Sequence, residues 1–116
     1  METVEVLNAT KSIVVATQAE LAVSLGQRMK GLIGRSSLPF NEALILKPCS
    51  SIHTFFMRFA IDVLFLNKEM RIIRMLQNMP PNRLGPIVWT SIMAIELSAG
   101  KIGQTNTQPG DLIELR

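Results

Sequence analysis

One cysteine in 116 residues leaves Cys49 without a partner for an internal disulfide, so it reads as a reduced thiol. The single histidine, His53, has no serine or cysteine beside it in a recognisable nucleophile motif, and no glycine-rich phosphate loop is present. Long apolar runs are missing too. The longest uncharged one, Gly85 to Ile95, falls well short of the roughly 20 residues a membrane helix needs, and Pro86 interrupts it, so no membrane span is expected. The N-terminus, METVEVLNATKS, lacks a basic segment followed by an apolar one; that is not a secretory pattern, and a cytoplasmic protein is expected. Internal repeats and low-complexity segments are absent as well.

What is present is a hydrophobic fraction of 47%, high for so short a chain. Such a composition folds, and 116 residues suffice for one core, so residues 1–116 are expected to be a single β-rich domain. A net charge of +3 and a pI near 9.5 suggest nucleic acid at first sight. Yet the lysines and arginines are scattered as singles, with no basic run and no aromatic interleaving. They read as a solvated surface, and no nucleic-acid partner is expected.

Hydrophobic periodicity gives short strands. Thr3–Leu7 alternates, Asn8–Lys11 is a polar connector, and a β-branched run from Ser12 to Thr17, extended through Val23, completes an opening hairpin. Ser24-Leu25-Gly26-Gln27 has the form of a capping box and predicts a helix over Leu25–Ile33, with Leu25, Met29 and Leu32 on one face. Gly31 and Gly34 weaken that helix. Ala43–Lys47 is the next strand, stopped by Pro48. The Asn67-Lys68-Glu69 turn joins two strands into a second hairpin, Asn78–Pro86 is irregular, Met93–Ser98 alternates, and Pro109-Gly110 turns the chain into a last strand from Asp111. Seven or eight short strands and one short helix, without regular helix–strand interleaving, predict a compact antiparallel β-sandwich or barrel.

The densest stretch is Cys49 to Leu66. As extended chain, Ile52, Thr54 and Phe56 share one face and His53, Phe55 and Met57 the other; both are substantially apolar, which suits a strand covered on both sides. Asp62 enters a second apolar run, where a buried carboxylate needs partners.

Five separated motifs then agree. Arg28-x-x-Gly31-Leu32, Phe56-Met57, Ile61-Asp62-Val63-Leu64-Phe65-Leu66, Ile95-Glu96-Leu97-x-Ala99-Gly100 and Gly110-Asp111, in this order and spacing, resemble the family called domain of unknown function 192, or uncharacterised protein family 0127. The match runs from about Leu21 to Leu115. It implies a small β-sandwich or barrel with a helix beside it, and it supplies candidate positions without a reaction. Many members carry Trp-Met-Lys-Asn-Thr where this chain has Phe56-Met57-Arg58-Phe59-Ala60, with His53 upstream. The chain therefore resembles a histidine-containing branch.

The candidate ligand-binding residues are Arg28, His53, Met57, Arg58, Asp62 and Glu96. Each has a simpler structural use. Asp62 and Glu96 can pair with Arg28, Arg58 or Arg83, and Met57 with its phenylalanine neighbours suits a core. Cys49 and His53, four residues apart, lie roughly 13 Å apart on a strand, too far for one ion, so neither a metal nor another cofactor is expected. The leading reading is a domain of unassigned function with a polar pocket built from His53, Arg58, Asp62 and Glu96, for a small ligand or a protein partner. The alternative is a hydrolase or lyase-type enzyme that uses Asp62 or Glu96 as acid or base, assisted by His53, with Arg28 or Arg58 holding a small anionic substrate.

Overall fold

Strand β4 (Ile61–Leu66) is buried at every residue. In the computed structural model, which describes residues 3–116, it lies inside a seven-stranded sheet with the order β5-β4-β6-β3-β2-β1-β7. The other elements are β1 (Thr3–Asn8), β2 (Ile13–Ala22), α1 (Leu25–Lys30), β3 (Glu42–Leu46), β5 (Ile72–Met79), β6 (Met93–Ser98), α2 (Lys101–Thr105) and β7 (Ile113–Leu115). Met1 and Glu2 of the N-terminal segment read above lie outside the described residues.

The sheet curls into a half-barrel whose edges meet at one corner. There the Gly110 N–H donates to the Ile72 carbonyl at 2.7 Å, the Ile72 N–H to that of Asp111 at 3.0 Å, and the Ile113 N–H to that of Met70 at 3.0 Å. The fold is mostly β, as the periodicity predicts, with two refinements. The β2–β3 pair is parallel while the other pairs are antiparallel. Parallel neighbours need a long crossover, and the chain from Val23 to Asn41, which contains α1, supplies it. A second short helix, α2, follows β6; with Gly103 at its centre it carries almost no helical signal in sequence.

Curling separates two apolar layers. Inside the half-barrel, Val6, Ile45, Leu64, Leu66, Ile95, Leu97 and Ile113 pack with Ile102 of α2. On the outer face, Leu44, Leu46, Ile61, Val63, Phe65 and Ala94 are covered by Leu32, Leu38, Ile52 and Met57 from the crossover and from the connection between β3 and β4. That connection is not a strand. Residues 47–60 form an irregular cover with one isolated bridge, His53 to Leu84, plus a bond from the Gly85 N–H to the Ile52 carbonyl at 2.9 Å. Gly85 is required for this approach, since a Cβ there would meet the Ile52 carbonyl oxygen at 2.8 Å. Only Ile52, Thr54 and Met57 of the stretch 52–57 are buried, while His53, Phe55 and Phe56 are exposed, so it is neither a strand nor covered on both sides; an apolar run of that length does not specify ladder pairing by itself. Among the described residues, no helix is long and apolar enough to cross a membrane.

Two polar clusters tie the half-barrel together. Asn8, fully buried, donates through Nδ2 to Asp111 Oδ2 at 2.9 Å and to Thr107 Oγ1 at 3.2 Å. Burial pushes the Asp111 carboxyl up, but bonds from Asn8, the Gln108 N–H and Lys11, with the Lys11 charge, outweigh it and hold the group below the ordinary carboxylate range. The second cluster is Asp62. Its Oδ1 accepts the Asn78 N–H at 2.8 Å, and its Oδ2 accepts the Gly100 and Ile102 N–H groups at 3.1 and 2.9 Å. Gly100, the N-cap of α2, has no side chain of its own to cap the helix, so Asp62 does it from β4. Removing that carboxylate strands three backbone donors. Asp62→Ala is expected to lower unfolding free energy by about 3 kcal/mol or more in urea titration; a loss under about 1 kcal/mol would refute the capping role.

Candidate functional site

Alternation along β4 and β6 decides which side chains can meet. Asp62 pairs with Leu97 and Val63 with Glu96, and on the other side of β6 Leu44 also pairs with Glu96. Leu97 belongs to the inner layer, Val63 and Leu44 to the outer one. Asp62 and Glu96 therefore project from opposite faces of the sheet and do not converge.

On the outer face, Glu96 lines a cavity of about 480 Å³ between the sheet and its cover. Helix α1 forms one wall, and residues 48–53 with Met57 form the other. The capping box places α1: the Gln27 N–H donates to Ser24 Oγ at 3.1 Å, and Gln27 Oε1 accepts the Val23 and Ser24 N–H groups at 3.2 and 3.4 Å. Gly31 ends the helix at φ +49, a conformation that favours glycine. A Cβ on it would stand 3.9 Å from Glu96 Oε1, which shows how closely the helix end approaches the carboxyl group.

Two atoms distinguish this cavity. Among the described residues, only Arg28 Nε and Glu96 Oε1 are buried side-chain polar atoms without a hydrogen-bond partner, and both residues line it. The Arg28 guanidinium is held by one bond, from Nη1 to the Pro48 carbonyl at 3.2 Å, and forms no ion pair with Glu96 within 4 Å. Glu96 is only 4% exposed, and desolvation alone pushes its pKa up to about 8. At neutral pH its carboxyl is therefore mainly the neutral acid, with an O–H to donate. The cavity presents two unused donors, one on a cation.

The rest of the wall is consistent with that polarity. Cys49 donates its thiol to the Ser51 carbonyl at 3.0 Å. Burial pushes the Cys49 pKa up, the Ser51 contact lowers it, and the Glu96 and Arg28 charges oppose each other there; the net rise keeps a thiol with little thiolate character. His53 is at the exposed rim, its ring stacked on Phe55 at 5.3 Å. Its Nδ1 accepts the Phe55 N–H at 3.2 Å, which assigns the neutral ring's proton to Nε2. Met57 is buried in the lining.

Four of the six candidates thus share one cavity: Arg28, His53, Met57 and Glu96. Arg58 is exposed outside its lining, and Asp62 caps α2 from the far side of the sheet. An Asp62–Glu96 acid–base pair has no geometric basis. Cys49 and Ser91, whose Oγ donates to the Cys49 carbonyl at 2.8 Å, join the lining without having been candidates. The strand spacing assumed for Cys49 and His53 does not apply, because residues 47–60 are irregular. Among the described residues, no three His, Cys, Asp or Glu side chains are grouped to hold a metal.

The chain is similar to known proteins chiefly through its fold. The model of an uncharacterised family, described as "uncharacterized ACR" and called domain of unknown function 192, matches residues 6–115. A crystal structure of a protein of unknown function from Novosphingobium aromaticivorans is similar at 23% identity, with a TM-score of 0.83 over 97% of this chain and 83% of that one. A second, from Sinorhizobium meliloti and described as a candidate transcription regulator, is similar at 22% identity with a TM-score of 0.82, over 98% of this chain and 92% of that one. At these identities the likeness is one of fold. No curated protein matches.

The raised Glu96 pKa has a definite sign in stability. The folded state holds this proton to about pH 8, whereas an ordinary glutamate releases it near 4.5. Its contribution is fully present below that lower value and is lost as pH rises through the window, with a limiting slope of about 1.4 kcal/mol per pH unit. Glu96→Gln should match the wild type in stability near pH 5 and exceed it increasingly toward pH 8 in urea titrations. Parallel curves for the two proteins would show that Glu96 titrates normally.

Proposed function

The chain belongs to the uncharacterised family called domain of unknown function 192, and from the geometry of its cavity we propose that it is a non-catalytic binding domain for a small oxyanion-bearing ligand. The observation that carries this reading is the pairing of orphans: Arg28 Nε and Glu96 Oε1 are both buried, both without partners and both in one cavity. Native interiors satisfy nearly all such atoms, and each one left unpaired costs on the order of 1–3 kcal/mol. A ligand oxyanion answers both, accepting from the guanidinium and from the protonated carboxyl group. The cavity volume, about 480 Å³, is within the range of small-molecule sites.

Acid–base catalysis has less support. Of the two acids the alternative names, Asp62 is already saturated by three backbone donors, and the thiol of Cys49 is held in its unreactive form. A free cysteine suits a reducing cytoplasmic setting. The basic residues are scattered, without a clustered run, and do not favour a nucleic-acid partner.

A thermal-shift series with acetate, butyrate, benzoate, succinate and inorganic phosphate tests the reading. At least one of these anions should raise Tm with saturation, corresponding to about 2.7 kcal/mol at 100 times its Kd. Arg28→Ala should remove the shift. Glu96→Gln, which keeps a donor at the same place, should retain most of it, and Glu96→Leu should lose it. If no anion moves the wild-type Tm, or Arg28→Ala shifts as the wild type does, the oxyanion site is wrong.

A further inference from the structure

Helix α1 turns its apolar ridge the wrong way for a core-facing helix. None of its residues is buried, and Leu25 and Met29, one turn apart, are 65% and 64% exposed. The same two side chains line the cavity that contains Arg28 and Glu96. Its lining also includes Leu32, Leu46, Ile52 and Met57, all buried in the outer layer. Apolar surface continues beyond the rim, through Phe55 stacked on His53 and Leu84 bridged to it, both exposed. One cavity thus combines two unused polar donors with apolar side chains that range from buried Ile52 and Met57 to exposed Leu25 and Met29.

A ligand that meets both demands has one oxyanion and an apolar body. Resting on the binding site proposed above, we infer that the occupant is an aliphatic monocarboxylic acid of medium chain length. Its carboxylate lies between Arg28 and Glu96, and its chain runs out over Met57 toward Leu25 and Met29. The lining also holds Lys30, Ser50, Ser51, His53 and Ser91, but along the Ile52, Met57, Leu25 and Met29 side chains a dicarboxylate or a sugar phosphate would find no partner for its further polar groups, and that apolar wall favours a single oxyanion. An apolar peptide with a free C-terminus would bring its amides to that same wall. The carboxylic acid leaves the chain itself free of polar groups and covers the exposed ridge of α1.

The test is titration calorimetry at pH 7 and constant ionic strength with acetate, butyrate, hexanoate, octanoate and decanoate. Affinity should rise by up to about fourfold for each methylene buried. The double variant Leu25→Ser/Met29→Ser changes two exposed positions and should leave the fold intact; it should flatten the dependence on chain length for the longer acids. Decylamine, with the same chain and the opposite charge, should not bind. If octanoate binds no more tightly than acetate, the apolar chain is wrong while the oxyanion site stands. Equal binding of decylamine and decanoate, or tighter binding of a leucine-terminated tetrapeptide than of octanoate, also overturns the assignment. If no acid of any length binds, this inference and the oxyanion site fall together.

Discussion

The carboxylate of Asp62 is the interaction on which the arrangement turns. It stands on a strand buried along its whole length and accepts backbone N–H groups from three places: Asn78 at the end of β5, Gly100 after β6, and Ile102 within α2. A buried carboxylate is unfavourable unless its lone pairs are taken up, and here they are taken up by donors that a short helix and two strand ends would otherwise leave unpaired. The mutual need explains why two separate motifs, Ile61-Asp62 and Ala99-Gly100, come together in space. It also fixes α2, whose Ile102 packs inside the half-barrel. Asp62 holds the scaffold.

Glu96 is the opposite case on the neighbouring strand. One residue of register places it on the outer face, where the cover made by α1 and residues 47–60 excludes water without supplying a partner for Oε1. Burial by itself then shifts its titration into the physiological range. Two acidic residues in a single ladder thus have different uses because their environments differ, one saturated by backbone donors and the other left open to a cavity. Arg28 approaches the same cavity from α1, close enough for its charge to reach Cys49 but without an ion pair to Glu96. Cation and acid thus face one cavity without pairing with each other.

Helix α1 shows how a local signal can be right about where an element starts and wrong about how far it runs. The Ser24–Gln27 capping box is legible in the sequence and is formed in the structure. Leu25, Met29 and Leu32 at helical spacing share one predicted face, yet only Leu32 is buried. The helix ends at Gly31, so Leu32 leaves the helical register and turns into the outer layer by itself. Periodicity assumes that the helix continues, and a single left-handed glycine cancels the assumption.

Composition and alternation by themselves determined that this chain is β-rich, placed most of its strands within two or three residues, marked the capping box and the Asn67–Glu69 turn, and brought Arg28, His53, Met57 and Glu96 forward as candidates. These are consequences of local spacing, which the chain carries wherever it is. Only the tertiary structure decided that β2 and β3 run parallel, that residues 47–60 cover the sheet without joining it, and that a helix follows Gly100. It alone separated Asp62 from Glu96, left Arg58 outside the cavity and added Cys49 and Ser91 to its wall. The reason is physical. Strand spacing tells which residues share a face, but which face meets which cover, and which polar atom is left without a partner there, depends on contacts between segments far apart in the chain.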